Sequence, residues 1–190
     1  MKKILFAVAI VISFIACSNN GSKENQTKVA DSTQPNTSAN DNMQKKPVSI
    51  DDIVTAYLRL KNALVNDNGT EAASAGKAIS NALQKIDEAA LTAEQKKVYD
   101  DVVEELKEHA EHIAENAGKI GHQREHFSWL SEVVYDLVKV FKTDKTLYKD
   151  RCLMFNDNKG AIWLSEVRQI KNPYYGKKML TCGVVKEEIK

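Results

Sequence analysis

The sequence predicts a mainly α protein, a four-helix up-and-down bundle closed by a small irregular C-terminal α+β cap. Apolar residues recur at three- and four-residue spacing through four successive segments between residues 50 and 141. Short polar or glycine-bearing breaks separate those segments, and short breaks make antiparallel neighbours. After Lys142 the helical period gives way to brief apolar runs and turn clusters.

Ser49-Ile50-Asp51-Asp52 reads as a helix start, with Ser49 as N-cap and Asp52 three residues on. Ile50, Ile53, Val54, Tyr57, Leu60 and Leu64 form its apolar stripe, and Asn66-Asp67-Asn68-Gly69 ends it. Thr70 is the expected cap of an alanine-rich second helix carrying Ala75, Ile79, Leu83 and Ile86. Thr92-Ala93-Glu94-Gln95 repeats the capping signature before a third helix with Val98, Val102, Leu106, Ala110 and Ile113, running to about Ala117. After the break at 118–121, Phe127, Leu130, Val134, Leu137 and Phe141 mark the fourth. Beyond it, Thr146 to Phe155 reads as a short strand, and Asn156-Asp157-Asn158-Lys159-Gly160 as a turn. Ala161-Ile162-Trp163-Leu164 makes a second apolar run. In Asn172-Pro173-Tyr174-Tyr175-Gly176, Pro173 presets φ and Gly176 supplies the positive φ that closes the turn. Val184-Val185 suits a last strand.

Lys2 and Lys3 precede an apolar run from Ile4 to Ala16, about 20 Å of helix and too short for a ~30 Å hydrocarbon core. This is the build of an export signal over 1–16. Ala16-Cys17 directly after the run resembles a bacterial lipobox, with Phe14 where leucine is usual. Cys17 is then the lipidated N-terminus of the mature chain, and acyl chains are the only hold on a membrane. Residues 17–47 are almost entirely polar and read as a flexible spacer of about 30 Å root-mean-square span. That leaves 48–190 as one folded domain, with the cap at about 146–185.

Within the 190 residues, 27 Lys and Arg face 26 Asp and Glu, a formal charge of +1 that becomes negative once the leader is removed. Such a chain has no electrostatic footprint for nucleic acid and no polybasic patch for lipid.

The chemistry-bearing residues are soft. Besides Cys17 the chain has only Cys152 and Cys182, each beside a methionine, in Cys152-Leu153-Met154 and Met179-Leu180-Thr181-Cys182. On a strand, Cys152 and Met154 share a face; Met179 and Cys182 share one only on a helical turn. Two thiolates and two thioethers select copper(I), or silver(I), over hard cations. A disulfide, worth about 3.5 kcal/mol for a loop of this length in the chain-entropy model, or plain core packing accounts for the same residues, so both readings stay open here.

All four histidines fall around the third break. His109 and His112 are i,i+3 on the third helix; His122 and His126 are i,i+4 on the fourth. An antiparallel hairpin puts His112 level with His126 or Phe127, with His109 and His126 at the seam edge and His112 and His122 further out. Helical histidine pairs hold borderline metals, and half-buried hydrogen-bonded spacers look the same in sequence. Arg124, Glu125 and Ser131 offer no catalytic geometry, and no enzyme is predicted.

The run Tyr148…Cys152-Leu153-Met154…Gly160-Ala161-Ile162-Trp163-Leu164-Ser165…Asn172-Pro173-Tyr174-Tyr175-Gly176…Met179-Leu180…Cys182-Gly183, with Gln123-Arg124-Glu125-His126-Phe127 before it, resembles a known family. This is the domain of unknown function numbered 3347, found in exported proteins mainly of Bacteroidetes-type bacteria and fused to periplasmic adaptors of copper and silver efflux pumps. The resemblance spans about residues 50–185 and is most specific from 146 to 183. It implies a periplasmic heavy-metal role, with Cys152, Met154, Met179 and Cys182 matching the family's soft ligands. The family typically reads Cys-Pro-Met; Leu153 replaces the proline here and loosens the backbone that presents the ligands.

The expected function is therefore a membrane-tethered periplasmic module that binds copper(I) or silver(I) and buffers the ion or passes it to an efflux adaptor. Cys152, Cys182, Met154 and Met179 are its ligands, with His126 as an additional one. The alternative is a non-catalytic interaction domain stapled by a Cys152–Cys182 disulfide, docking a protein partner through Trp163, Tyr174 and Tyr175.

Overall fold

The structure, a computed structural model, describes residues 48–190. The export signal, Cys17 and the spacer lie outside the described residues. Four helices follow in order: α1 (Asp51–Val65), α2 (Gly69–Leu83), α3 (Ala93–Glu115) and α4 (Ile120–Phe141).

Of the three expected helix caps, one stands where the sequence places it and two are displaced. Thr92 and Gln95 form the expected capping box, each side chain accepting the other's backbone N–H. Ser49 stands one residue early: its hydroxyl accepts the Asp51 N–H at 3.1 Å, but Ile50 occupies the cap position. Thr70 lies inside α2. Its place is taken by Asn68, whose side chain accepts the Glu71 N–H at 3.0 Å. Asp67 ends α1 at φ +58, so the chain reverses there and Asn68 reaches the free donors first.

Helix direction alternates along the chain. A Cβ on Gly76 of α2 would meet the Ala110 carbonyl oxygen of α3 at 2.8 Å and the Ile113 Cγ2 at 3.1 Å. The lack of a side chain at Gly76 lets α2 and α3 approach this closely. Most of the expected stripes are buried: Tyr57, Leu60 and Leu64, Ala75 and Ile79, Leu106, Ala110 and Ile113, and Phe127, Leu130 and Val134; Val98 and Val102 are half-buried, and Ile86 falls past the end of α2. No described helix is long and apolar enough to cross a membrane.

The cap is one antiparallel sheet, β1 (Leu147–Cys152), β2 (Ala161–Ser165) and β3 (Val184–Ile189), in the order β2-β1-β3. The first strand stops at Cys152 instead of reaching Phe155. Asn156, Asp157 and Asn158 take φ of 53, 53 and 66°, left-handed values that carry the chain away from the ladder. The last strand is longer than the Val184-Val185 pair and carries the cap to Ile189.

The sheet completes the bundle. α1 and α4 barely meet, and β2 fills the space between them, buried at all five positions. Tyr57 of α1 joins the layers: its hydroxyl lies 2.8 Å from Ser131 Oγ of α4 and accepts the Leu164 N–H of β2 at 2.9 Å. Its ring stacks on Phe127 with centroids 5.3 Å apart. Trp163 and Tyr174 are buried in this seam, at 0% and 2% exposure. Of the expected docking face, Trp163 and Tyr174 belong to the core, and only Tyr175 is partly open to solvent.

Two charges are buried beneath the sheet. Lys61 of α1 donates to Asn62 Oδ1 and pairs with Glu166 Oε2, both at 2.8 Å. Asp150 of β1 faces inward next to a bulge, with no hydrogen-bond partner for either carboxylate oxygen among the described residues. Burial pushes its carboxyl up to about 7 against the opposing pull of Lys61.

Candidate metal centre

Cys152 ends β1, fully buried. Cys182 closes the turn that follows the 3₁₀ segment Gly176–Lys178, its N–H donating to the Met179 carbonyl at 3.0 Å. That i,i+3 turn is the geometry required for Met179 and Cys182 to share a face. Three sulfurs come together here. The Cys182 thiol donates to Met154 Sδ at 3.8 Å, and Cys152 lies near enough to act on the same thiol. Burial, with Cys152 next to it, pushes the Cys182 thiol up. Both cysteines are free thiols, and Met179 is half-buried on the same turn.

Met154 enters this group from a bend rather than from the strand face expected for it. The Asn172–Gly176 motif provides the frame. Asn172, fully buried, donates from its side-chain amide to the Cys182 carbonyl at 2.6 Å. Its side-chain oxygen accepts the N–H groups of Tyr174 and Tyr175 at 2.8 and 3.2 Å. The Tyr174 hydroxyl donates to the Ile162 carbonyl of β2, and the Tyr175 hydroxyl to the Met154 carbonyl at 3.1 Å. Arg124 of α4 donates from Nε to the Pro173 carbonyl at 2.8 Å. Gly176 sits at φ +54 directly over the pair formed by Arg124 and Asp67. A motif read as a tight turn is thus the brace that sets the Cys182 turn against the Met154 bend. Its turn chemistry was visible in sequence; its long-range partners had no local signal.

The histidines form a second group. His126 and His112 stack with ring centroids 4.3 Å apart, and His122 meets His126 edge-on at 4.5 Å. One ligating atom from each of His112, His122 and His126 lies within 4.8 Å of the others. His109 Nδ1 lies 3.1 Å from His126 Nδ1. This is the level pairing expected of an antiparallel hairpin, with His126 innermost at 8% exposure. Burial, reinforced by the neighbouring histidines, lowers the His126 imidazole to about 4 and lowers His109 in the same direction. His126 therefore stands among imidazoles, on the α3–α4 seam.

Trp129 lies between the two groups. It stacks on His109 and meets His126 edge-on, with centroids at 5.3 and 5.4 Å. It also lines a cleft of about 640 Å³ between α4 and the 154–158 loop, into which Met154 opens. Trp129 was not singled out from the sequence because its 50% exposed position falls off the apolar stripe of α4.

The family model described as "Protein of unknown function (DUF3347)" matches residues 53–146. The matched segment begins within α1, holds the rest of the four helices and all four histidines, and ends just before β1. Cys152, Met154, Met179 and Cys182 lie beyond it, although the sequence resemblance was strongest there. No curated protein and no solved structure matches the chain. Through its helical segment, the chain belongs to the DUF3347 family, whose function is unknown.

Proposed function

We propose that this chain is a membrane-tethered periplasmic module that captures copper(I), or silver(I), and buffers the ion or passes it to an efflux adaptor. The observation that carries this reading is the convergence of the Cys152, Cys182 and Met154 sulfurs from two segments far apart in sequence. Two thiolates and one thioether suit a soft monovalent ion and are poor ligands for magnesium or calcium. Cys152 supplies a buried anchor and Cys182 a half-buried partner. Met154, 46% exposed at the cleft, is the ligand an incoming or departing carrier can reach. Met179 is positioned on the Cys182 turn as a further thioether. Thiols must lose their protons to bind, so metal uptake releases protons and competes with the raised Cys182 thiol.

The test is titration of the reduced full-length chain with copper(I) against a chromophoric chelator. Strong 1:1 competition is expected, lost in a Cys152→Ser, Cys182→Ser double variant. Unchanged affinity in that variant overturns the site. The closeness of the two thiols equally supports the second reading, a structural domain stapled by a Cys152–Cys182 disulfide. An as-purified mass two hydrogens low, with no copper(I) bound after reduction, selects it.

A further inference from the structure

We infer that the α3–α4 hairpin carries a second metal site, separate from the sulfur group, in which His112, His122 and His126 bind a borderline divalent cation such as zinc(II) or copper(II). The inference goes beyond the copper(I) reading and does not depend on it.

The geometry gathers the ligands on one seam, and the stacked His112 and His126 rings must turn to aim their nitrogens at a single ion. Three imidazoles already present ligating nitrogens within 4.8 Å of one another. Zinc–nitrogen bonds of about 2.0–2.1 Å set tetrahedral ligand atoms about 3.4 Å apart, so the imidazoles close in by up to about 1.4 Å through side-chain rotation. The histidines come from two rigid helices, as an i,i+4 pair on α4 facing His112 on α3, so the backbone holds their spacing. His109, 3.1 Å from His126, is placed to orient the His126 ring by hydrogen bonding. Imidazole suits zinc, copper and nickel, whereas the sulfur group prefers copper(I).

The surroundings favour a cation. Carboxylates of Glu108 and Glu125 lie 3.9 and 3.6 Å from the His112 and His122 rings. Glu104, Glu111 and Glu115 line the same side of α3 beside His112. Trp129 covers His109 and His126 from the other side.

Zinc(II) titration of the full-length chain by calorimetry, with X-ray absorption of the loaded protein, tests the site. We expect one zinc per chain with a nitrogen-and-oxygen shell, retained in the Cys152→Ser, Cys182→Ser variant and weakened about a hundredfold in His112→Ala, His122→Ala. Both substituted histidines are partly exposed, so circular dichroism is expected to show an intact fold; His112→Gln, His122→Gln serves if it does not. Sulfur in the zinc shell, zinc affinity unchanged in the histidine variants, or no zinc binding at all overturns the inference. Loss of copper(I) binding in the cysteine variant with zinc binding intact leaves both sites standing. Copper(I) affinity unchanged in that variant sinks the sulfur site alone.

Discussion

The Cys182 thiol meets the Met154 thioether at 3.8 Å although the two residues stand 28 positions apart in sequence, and they differ in cover: Cys182 is half-buried, Met154 46% exposed. Met154→Leu keeps the shape and removes the sulfur. It is expected to leave the melting temperature unchanged while weakening copper(I) binding about tenfold, or ~1.4 kcal/mol, in the chelator competition. Alkylation kinetics provide a companion measurement. Cys182 is expected to react before the fully buried Cys152, and mass spectrometry of partially modified protein reads the order.

The Tyr175 hydroxyl holds the Met154 carbonyl, and the residue is otherwise half-buried. Tyr175→Phe removes one partly exposed hydrogen bond, a stability cost of about 0.5–1 kcal/mol by urea unfolding. Metal affinity is expected to fall with it, because the bend is no longer tied to the Cys182 side of the site.

Gly176→Ala forces a side chain into a left-handed position where its Cβ lands on Asp67 Oδ1 and Arg124 Nη2. Backbone strain and the broken ion pair together are expected to cost about 2–3 kcal/mol by urea unfolding. Recovery of full stability in this variant would show that the turn has freedom to relax.

Tyr57→Phe removes the one hydroxyl shared by Ser131 Oγ and the Leu164 N–H. Two buried polar groups lose a partner, at a cost of about 1–3 kcal/mol. The loss is expected to loosen β2 against the helices, and hydrogen exchange at the Leu164 amide reports it directly.

Acid sensitivity has a specific source in the ion pair of Asp67 and Arg124, 2.6 Å apart. The hydrogen bond from Arg124 holds the Asp67 carboxyl below its usual value of 3.8. The unfolded chain therefore takes up this proton first as pH falls. The pair's contribution is complete well above pH 3.8 and is lost as pH drops through the lowered folded value. Asp67→Asn is expected to melt below the native protein at pH 7, and the gap to narrow below about pH 4.

The helical part was legible because its signals are local. The stripe from Ile50 to Leu64 and the Thr92–Gln95 capping box need only the helical repeat and a hydrogen bond across one turn. Where two neighbouring residues competed for one cap, Asn68 prevailed over Thr70 through the reversal at Asp67, which is a property of the turn between two packed helices. The strand end at Cys152 was missed for a similar reason. Alternation continues through Met154, but the left-handed Asn156–Asn158 loop leaves the sheet, and only pairing with β2 sets the last rung at Cys152 and Ala161.

From the sequence alone came the four amphipathic segments, the level pairing of the histidines across a short break, and the soft character of the cysteine–methionine pairs, since each follows from periodicity or residue chemistry. Tertiary structure decided that β2 closes the gap between α1 and α4, that Trp163 and Tyr174 are core, that three sulfurs meet, and that His126 stands among imidazoles. Those outcomes depend on contacts between residues far apart along the chain. Such contacts are selected by the packing of whole faces and the satisfaction of buried polar groups, and neither leaves a periodic trace.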